Sequence, residues 1–580
     1  MKSAPLHLQS CHKRYTHDQD KACSPEQTVA RLYQRLKGSK LDILKGVERI
    51  DNGRLDIPVY FSVCGEDARA VIGNKKQMGK GATPAQAQAS ACMELTERLS
   101  FFSFKDDPDN FITGDYQQME EQGYPVLARE ILLASVHDTT LSVDLFTELL
   151  EQLPMKWAWA TRLADMEAVL IPFSWFYAIN EFNGTSAGNT YEEAVIQGIS
   201  EVVERHVCSI ISQEKKQVPA IDLNSIDDPV VSGLLDKFRR CGIKVYLGDF
   251  SLNTGIPTIG ALAWDPATFP EESEIVFTAG TTPGATKAVI RALTEVAQLA
   301  GDFNTGSKYV ASGLPKPSCL EEVDYVIKAS QKIRLQDMAD LADEDIFEEV
   351  KKCTAAVKRQ GKDIFVINTA HPELQIPAVY TIIPGAHFRE RAAGGNAAMF
   401  AAKLAAQLLA GDALDAKLKH MQQLIPDAYY IHFYRGCHAY EQGDIEQALA
   451  FFNLAQDNSP HNEDLPYIHS YKGSCLRDLA RYKEAIATLY KGLEYDEERP
   501  DIHNILGVCW FKCGHFARAV EHFGRAIALN PASAIDYANL ALNLEKLGRV
   551  EEAVAQYELA LGLDSSILFA QKRLALLLSQ

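Results

Sequence analysis

Apolar and polar residues change their periodicity along this chain, and the change predicts two kinds of structure. Up to about residue 410, short runs rich in Val, Ile, Tyr and Phe alternate with longer segments whose apolar residues recur every three or four positions. Runs of the first kind are typical of buried strands, and segments of the second kind are typical of amphipathic helices. The pattern predicts a mixed α and β body over residues 1–410.

The predicted elements of this body follow from the same pattern. Strands are expected at 57–65, 168–179, 243–250, 256–264, 363–370 and 376–385. Long helices are expected at 84–102, 190–213, 284–302, 345–360 and 394–410.

From residue 427 onward, the chain has small residues that recur at regular spacing. Each unit has a small residue, an Ala twelve positions later, and a second small residue seven positions after that. The units begin at Gly436, Gly473, Gly507 and Ala541, at spacings of 37, 34 and 34 residues. Small residues at these places let two helices of a hairpin approach closely, and the spacing matches the tetratricopeptide repeat. We predict about four repeats and a capping helix over 427–580, with 411–426 as the linker.

Composition and charge narrow the function. A chain of 580 residues is too long for one core, so two to four domains are expected. The net charge of −19 argues against nucleic acid or an anionic membrane as a partner, because both bind basic surfaces. The longest apolar run, 168–179, is too short to span a bilayer. The start of the chain lacks the apolar segment of a signal peptide, and the 12 cysteines form no C-x-x-C pair. We therefore expect a cytoplasmic protein.

The unit E-x-x-E-R occurs twice, each time on a helix that is otherwise apolar. It comprises Glu94, Glu97 and Arg98 in the first helix, and Glu201, Glu204 and Arg205 in the second. Positions three and four apart share a helix face, so each set points one way. Such a unit is ordinarily a solvated surface face with ion pairs, which is the alternative here.

Further acids and bases favour a buried site over that alternative. Arg291 and Glu295 lie one turn apart on a third helix, and Glu193 and Gln197 precede Glu201 on the second. Burying several bare carboxylates is costly, so cations are expected among them. Carboxylates without His or Cys suit Mg²⁺, and the arginines suit a phosphate bridged by that ion.

The loops before the first two helices fit an anion site. "NGTSAGNT" contains Ser186 and Asn189 before a helix that Thr190 is expected to cap, and "GKGAT" places Lys80 before the first acidic helix. Exposed backbone N–H groups at a helix N-terminus favour an anion. The segment from Gly73 to Lys80 has the wrong spacing for a P-loop, and no G-x-G-x-x-G follows a strand. A nucleotide would therefore have to be bound without either of these two motifs.

The segments "GKGAT…ELTERLS", "NGTSAGNTYEEAVIQGISEVVERH" and "IRALTEVAQ" resemble the YcaO family over about residues 15–400. The resemblance implies an α+β YcaO-type ATP-binding domain, followed here by an all-α tetratricopeptide-repeat solenoid. It implies ATP and Mg²⁺ as cofactors. Glu94, Glu201 and Glu295 are then expected to hold one Mg²⁺, and Glu97 and Glu204, with Glu193, the other. The expected nucleotide contacts are Lys21, Thr28, Lys80, Arg98, Ser186, Asn189, Gln197, Arg205 and Arg291.

Members of this family activate a peptide-backbone amide with ATP, and a nucleophile then replaces the phosphorylated oxygen. Azoline-forming members resemble each other in a Pro-rich ending, which this sequence lacks. The layout is similar to the non-azoline branch, which implies thioamide-type chemistry or an accessory role in ribosomal-protein β-methylthiolation. Expected partners are a peptide or protein substrate and a sulfur-delivery or radical-enzyme protein that the repeats could recruit. A homodimer stays an open option, as do an ATP-binding adaptor without turnover and a scaffold with a decayed site.

Overall fold

The computed structural model describes residues 6–73, 77–306, 308–310, 313–388 and 396–579. The chain divides into two compact units, Met1–Ala397 and Ala398–Gln580. Among the helices that the structure describes, none combines the length and apolar character that crossing a membrane requires.

The first unit mixes helices and strands in its described residues. Its helices are α1 (Pro25–Gly38), α2 (Glu66–Ile72), α3 (Pro84–Asp106), α4 (Tyr116–Glu121), α5 (Arg129–Ser135), α6 (Val143–Leu150), α7 (Phe173–Asn180), α8 (Tyr191–Glu214), α9 (Pro229–Arg240), α10 (Ala285–Ala300), α11 (Asp324–Ile327) and α12 (Ile346–Arg359). Its strands are β1 (Leu44–Arg49), β2 (Val59–Cys64), β3 (Gln77–Lys80), β4 (Ile112–Gly114), β5 (Met155–Arg162), β6 (Glu167–Pro172), β7 (Thr185–Ala187), β8 (Ala220–Ile221), β9 (Lys244–Asp249), β10 (Thr258–Trp264), β11 (Val276–Thr281), β12 (Lys332–Ile333), β13 (Phe365–Asn368) and β14 (Ala378–Ile382).

These strands form three sheets. The first has the order β1-β2-β3, the second β11-β10-β9-β8-β12, and the third β4-β5-β13-β14-β7 with β6 beside β5. Neighbouring strands pair antiparallel except β8 with β12, which pair parallel. Hairpins and short loops make most of these connections, so the described part of the unit is an α+β domain, as the sequence predicts.

Three long helices lie on these sheets. Helix α3 packs on β2 and β3, α8 on β7 and β14, and α10 on β10 and β11. Two of these contacts depend on a missing Cβ. A Cβ at Gly79 of β3 would lie 2.0 Å from the backbone nitrogen of Ala91 in α3, and a Cβ at Gly198 of α8 would lie 2.3 Å from Thr381 Oγ1 in β14. The glycines therefore bring helix and strand backbones closer than any other residue would allow.

The sequence pattern predicted four long helices of this unit to within a few residues, but it misassigned one apolar run. Residues 168–179 were expected as a single strand; the strand β6 ends at Pro172 and helix α7 begins at Phe173. Trp175, Phe176 and Ile179 of α7 are buried in the core. An apolar run that is buried on all sides has no amphipathic period, so periodicity alone cannot separate strand from helix there.

The second unit is helical throughout its described residues. Its helices are α13 (Ala397–Leu408), α14 (Gly411–Leu424), α15 (Tyr429–Glu441), α16 (Ile445–Asp457), α17 (Leu465–Asp478), α18 (Tyr482–Leu493), α19 (Pro500–Lys512), α20 (Phe516–Leu529), α21 (Ala534–Lys546), α22 (Val550–Leu563) and α23 (Leu568–Leu578). From α14 to α23 each helix packs on the next, as helices of tetratricopeptide repeats do. The repeat alanines Ala448, Ala485, Ala519 and Ala553 are fully buried.

The structure differs from the expected linker at 411–426 and from the expected end of the first domain at 410. Helix α14 occupies 411–424, and α13 belongs with the helical unit rather than with the first one. Leu414, Leu418 and Met421 recur at helical spacing and are buried, which explains why this segment folds as a helix. Of the predicted helix 394–410, residues 394 and 395 lie outside the described residues.

Candidate functional site

The predicted site residues converge on one cavity of about 460 Å³ in the first unit. Helix α3 lines it with Glu94, Glu97 and Arg98, and α10 with Arg291 and Glu295. The other predicted residues that line it are Lys21, Thr28, Lys80, Asn189, Glu193, Gln197, Glu201, Glu204 and Arg205. Fourteen of the fifteen residues expected from the sequence therefore share one cavity, with Ser186 as the exception.

Helix α8 contributes most of the acids because its cavity face repeats at helical spacing. Thr190 caps its N-terminus, since its hydroxyl accepts a hydrogen bond from the backbone N–H of Glu193. From there Glu193, Gln197, Glu201 and Glu204 follow one another along the helix, and the residues between them, such as Ile199 and Val202, are buried. One amphipathic helix thus presents a row of carboxylates inward rather than to solvent.

Cations lie among these carboxylates. The Arg98 guanidinium is 3.4 Å from Glu97, that of Arg205 is 3.9 Å from Glu201, and Arg291 is 3.8 Å from Glu204. Lys80, on β3, pairs with Glu295 on α10. Four basic side chains therefore partly neutralise the carboxylates.

The electrostatics of this cluster are unfavourable without a metal. Burial raises the pKa of Glu97 to about 8, against the lowering effect of Arg98. Burial also raises the pKa of Glu94 and that of Glu204. For Lys80, burial and the neighbouring Arg291 lower the pKa to about 7. Raised pKa values mean that the neighbouring cations do not fully balance the negative charge of these buried carboxylates. A hard divalent cation, which carboxylate oxygens bind well, would balance it.

Two arginines that line the cavity have a buried side-chain donor without a hydrogen-bond partner among the described residues. The Nε atoms of Arg205 and Arg291 are buried, and no acceptor among the described residues hydrogen-bonds to them. An unsatisfied buried donor costs about 1–3 kcal/mol, so such groups are expected to meet a ligand. Guanidinium donors beside carboxylates fit a phosphate bridged to the protein by a metal ion.

The carboxylates are not yet arranged as a metal cage. Among the described residues, no group of three or more His, Cys, Asp or Glu side chains is positioned to hold an ion. The chemistry of the six carboxylates in the cavity nevertheless fits Mg²⁺, which uses few protein carboxylates together with phosphate oxygens. Side chains such as Lys80 and Glu295 would have to separate for an ion to bind between carboxylates.

Glu193 occupies a special place in this set. Its side chain is 1% exposed, and one oxygen accepts a hydrogen bond from the backbone N–H of Ala22. The other oxygen accepts from the backbone N–H of Asn189 at 2.8 Å and from its Nδ2 at 3.0 Å. Thr28 in turn donates to Asn189 Oδ1 at 3.1 Å. Glu193 therefore anchors the segment that carries Lys21, and it would bind a metal ion only if some of these hydrogen bonds were exchanged.

The structure does not bring Ser186 into the cavity, in contrast to the expectation that it contacts the nucleotide. Its side chain is fully buried, and its hydroxyl donates to the carbonyl oxygen of Ala194 in α8 at 2.7 Å. Successive residues of strand β7 point to opposite faces, so Ser186 faces the helix. Its place is to fix strand β7 against α8.

Sequence reasoning missed Thr185, the neighbour of Ser186. Thr185 is 1% exposed, donates to Glu97 Oε1 at 2.8 Å and accepts from Arg98 Nη1 at 3.2 Å. The sequence did not indicate Thr185, because a single Thr in a loop-like segment belongs to no spacing pattern that would mark it as a site residue. The sequence also gave no reason to select Gln86, Ser90 and Met93, which extend the cavity lining of α3 toward its N-terminus.

Comparisons with known proteins agree with this geometry. Residues 78–387 match the model of the YcaO cyclodehydratase family, which is described as ATP- and Mg²⁺-binding. Residues 399–463, 500–533 and 537–567 match tetratricopeptide-repeat models. Fold and site thus define an ATP- and Mg²⁺-binding domain joined to helical repeats. The chain belongs to the YcaO family, and the predicted cofactors, ATP and Mg²⁺, are confirmed.

Individual relatives share the first unit with this chain. A protein of Methanothermobacter thermautotrophicus is 29% identical over 374 residues, which cover 60% of this chain and 91% of the relative. The Escherichia coli ribosomal protein S12 methylthiotransferase accessory factor YcaO is 30% identical over 207 residues, which cover 33% of this chain and 35% of that protein. The structure of YcaO from Methanopyrus kandleri bound with AMPPCP and Mg²⁺ superposes with a TM-score of 0.50 at 22% identity, over 65% of this chain and 94% of that one.

Proposed function

We propose that this protein uses Mg-ATP to phosphorylate the oxygen of a peptide-backbone amide, as a step in modifying a peptide or protein. The observation that carries the proposal is that one cavity holds carboxylates with raised pKa values together with arginines whose Nε atoms have no hydrogen-bond partner among the described residues. A nucleotide-binding scaffold without chemistry would not need this density of buried charge. The cavity fits a phosphoryl-transfer site.

The residues have distinct roles in this proposal. Glu94, Glu201 and Glu295 would hold one Mg²⁺, and Glu97 and Glu204, with Glu193, would hold another; when bound, these ions would neutralise charge on the phosphates. Arg98, Arg205 and Arg291 bind phosphate oxygens that gain charge during transfer. Lys80, with its pKa near 7, can leave Glu295 as a neutral amine or turn to a phosphate as a cation.

Phosphorylation solves a specific chemical problem. An amide carbon is a poor electrophile, and its oxygen is a poor leaving group until it carries a phosphate. The amide oxygen forms the new bond to phosphorus, the bond to the leaving nucleotide breaks, and a nucleophile then replaces the phosphate at the amide carbon. The identity of that nucleophile determines the product.

We place the product outside the azolines, as a thioamide-type modification or as a contribution to ribosomal-protein β-methylthiolation. Support comes from the Escherichia coli relative, whose name describes an accessory factor of a ribosomal-protein methylthiotransferase. The helical repeats supply a surface for a protein partner, which would be the substrate or a sulfur-delivering or radical enzyme.

Thermal unfolding with and without Mg-ATP tests the site, using the wild type, Glu201→Ala and the control Glu214→Ala. Glu214 is an exposed residue at the far end of the same helix. At about a hundredfold excess of ligand over its Kd, binding adds about 2.7 kcal/mol to the free energy of unfolding. We expect this rise in the wild type and the control, only with Mg²⁺, and its loss in Glu201→Ala. A normal rise in Glu201→Ala would refute the site assignment.

Turnover separates the enzyme from an adaptor. An enzyme releases phosphate from ATP faster when its protein substrate is added, whereas an adaptor binds Mg-ATP without such stimulation. Candidate substrates are ribosomal proteins and the other proteins that copurify with the full chain. Binding without stimulated turnover by any of them would favour the alternative function, an ATP-binding adaptor whose repeats recruit a partner.

A further inference from the structure

The cavity has two chemically different ends along α3. Gln86, Ala89 and Ser90, from the N-terminal half of α3, line the cavity, and so do Gln19 and Pro25. Glu94, Glu97 and Arg98 line the C-terminal end. At 1.5 Å per residue, Ala89 and Arg98 are about 13 Å apart along the helix, close to the length of an extended nucleotide. The nucleoside therefore belongs at the first end and the terminal phosphate at the second.

Aromatic side chains continue the α3 face beyond the phosphate end. The Arg98 guanidinium lies 4.4 Å above the ring of Phe182, and Phe182 is 6.2 Å from Phe102, one turn after Arg98. Lys105, almost one turn further, lies 5.9 Å from the Phe102 ring and 5.7 Å from that of Tyr177. Phe102, Tyr177 and Phe182 are each half-buried, and Phe182 lines the cavity.

The position of Phe182 is fixed by its neighbours. Glu181, directly before it, adopts a φ of 49°, which non-glycine residues rarely do and which marks a conformation imposed by the surroundings. The Thr185 hydroxyl lies 2.9 Å from the carbonyl oxygen of Phe182 and 2.8 Å from Glu97 Oε1, and these two acceptors share its single proton. A single side chain thus connects the backbone of Phe182, which lines the cavity, to an expected metal ligand.

We propose that Phe102, Tyr177 and Phe182 form the subsite for the peptide substrate, and that Phe182 positions the reactive amide at the terminal phosphate. We call these three residues the aromatic stripe. The proposal rests on the proposed function, because only an enzyme that phosphorylates an amide needs a peptide at this end of the cavity. The occupant is an extended peptide segment with an apolar side chain beside the reactive amide.

The chemistry of the aromatic stripe fits that occupant. Aromatic rings bind apolar side chains and the flat faces of peptide groups, and they lose little conformational entropy in doing so. Lys105, which lies beside the rings of Phe102 and Tyr177, can bind a peptide carbonyl oxygen. The nucleoside end cannot serve as the entrance, because an amide that entered there would meet the base rather than the phosphate.

Paramagnetic relaxation tests the subsite without relying on turnover. The full chain is loaded with Mn²⁺ and AMPPCP, a nucleotide analogue that cannot transfer its terminal phosphate, and acetyl-Gly-Phe-Gly-amide is the probe. Mn²⁺ at the phosphates should broaden the proton resonances of the bound peptide. We expect Phe182→Ala to reduce this broadening about tenfold, as the loss of one aromatic contact would, and Phe182→Tyr to retain it.

Controls address folding and surface effects. Tyr246→Ala removes a partly exposed aromatic residue from β9, where it stacks on Trp264, and should leave the broadening unchanged. The thermal midpoint of each variant shows whether it is folded. Equal broadening in the wild type and Phe182→Ala would overturn the subsite, and so would its absence in a wild type that binds Mn-nucleotide. Water-proton relaxation reports that binding in the same sample. Failure to bind Mn-nucleotide would instead overturn the proposed function, and the subsite with it.

Discussion

The hydroxyl of Thr185 donates a 2.8 Å hydrogen bond to the carboxylate of Glu97 across the gap between β7 and α3. The Thr185 Oγ1 atom also accepts a hydrogen bond from Arg98 Nη1 at 3.2 Å. Thr185 therefore holds an acid and a base of the E-x-x-E-R unit in a fixed relation, although it belongs to another element. Groups that orient metal ligands in this way tune metal affinity.

Thr185→Val keeps the shape of the side chain and removes this hydroxyl. We expect Mn²⁺ affinity in the presence of nucleotide to fall about 10- to 100-fold, the range seen when a partner of a metal ligand is lost. Titration of Mn²⁺ by electron paramagnetic resonance measures it. The matched control is Thr354→Val, because the Thr354 hydroxyl donates to the Val350 carbonyl oxygen within helix α12. Equal affinities in wild type and Thr185→Val would contradict the orienting role.

The affinity for Mg-nucleotide should depend on pH because Glu97 holds its proton up to about pH 8. A metal ion binds the carboxylate form, so below that pH binding must release a proton. We expect the affinity to rise about tenfold per pH unit for each proton released, up to about pH 8, and then to level off. Calorimetry at pH 7 in buffers of different ionisation enthalpy counts the released protons. Glu97→Gln should release fewer protons, while Glu214→Gln should behave as the wild type. An affinity that is constant between about pH 6 and 8 would refute the raised pKa.

The metal-free protein should show the opposite dependence. The folded state binds the Glu97 proton more tightly than the unfolded chain does, whose carboxyl group has a pKa near 4.5. The stability that this proton confers is present at low pH and is lost as the pH rises toward 8. Without Mg²⁺, Glu97→Gln should therefore unfold at a higher denaturant concentration than the wild type at pH 8, and the two should converge near pH 5. A variant that is less stable than the wild type at pH 8 would show that Glu97 is well compensated by its arginine.

Helix α8 packs so closely on β14 that adding one methyl group at Gly198 should destabilise the protein. A Cβ at Gly198 would lie 2.3 Å from Thr381 Oγ1 and 2.9 Å from Ser186 Oγ. Gly198→Ala should cost about 1–3 kcal/mol in the free energy of unfolding, as overpacking does. Gly233→Ala is the control, because a Cβ at Gly233 in α9 meets no atom within 4 Å. It should stabilise the protein by about 0.5–1 kcal/mol through helix propensity. Denaturant titration measures both, and effects of the same sign would contradict this account.

Comparing Thr185 with the glutamates of α3 and α8 shows which residues of the cavity could be predicted from the sequence. Glu94, Glu97, Glu201 and Glu204 were found from sequence because helical spacing fixes which residues share a face, and their apolar neighbours indicated burial. Thr185 lies in a three-residue strand whose partners are distant in sequence, so no local rule selects it. Ser186 was misplaced for the same reason, since the face of a short strand depends on pairing that the sequence does not state.

The fold follows the same division. The small-residue spacing predicted the repeats because each repeat contacts mainly its neighbours, so local pattern determines local structure. The order of strands in the three sheets was not predictable, because β5 pairs with β13, far away in sequence, and such pairs depend on the packing of the whole domain. Helix α14 was missed because its buried face, with Leu414 and Leu418, lacks the Gly and Ala positions by which the other repeats were recognised.

A chain of hydrogen bonds through two buried histidines links three helices of the second unit. His503 Nε2 lies 3.2 Å from the Glu497 carbonyl oxygen, which can only accept, so this nitrogen carries the proton. His503 Nδ1 then accepts from His522 Nδ1 at 3.0 Å, and His522 Nε2 accepts from the Tyr490 hydroxyl at 2.9 Å. Both rings are neutral in this arrangement, and every ring nitrogen has one partner.

Acid should therefore loosen the repeats around this chain. Burial, together with the other ring, lowers the pKa of His522 to about 4, and burial lowers that of His503, whereas an unfolded histidine titrates near 6.5. The stability due to the neutral rings is present above about pH 6.5 and is lost as the pH falls toward 4. For His522 the loss approaches about 3 kcal/mol, since each pKa unit is worth about 1.4 kcal/mol.

Hydrogen–deuterium exchange of the full chain at pH 7 and pH 5 measures this effect in α18, α19 and α20. Comparing wild type with His522→Gln at each pH cancels the intrinsic pH dependence of exchange. We expect protection of these helices to fall between pH 7 and pH 5 in the wild type and to fall less in His522→Gln, because Gln can accept from Tyr490 but does not titrate in this range. His515→Gln, which changes an exposed histidine, should follow the wild type. Equal losses of protection in all three proteins would show that the acid sensitivity of the repeats, if present, arises outside the buried histidines.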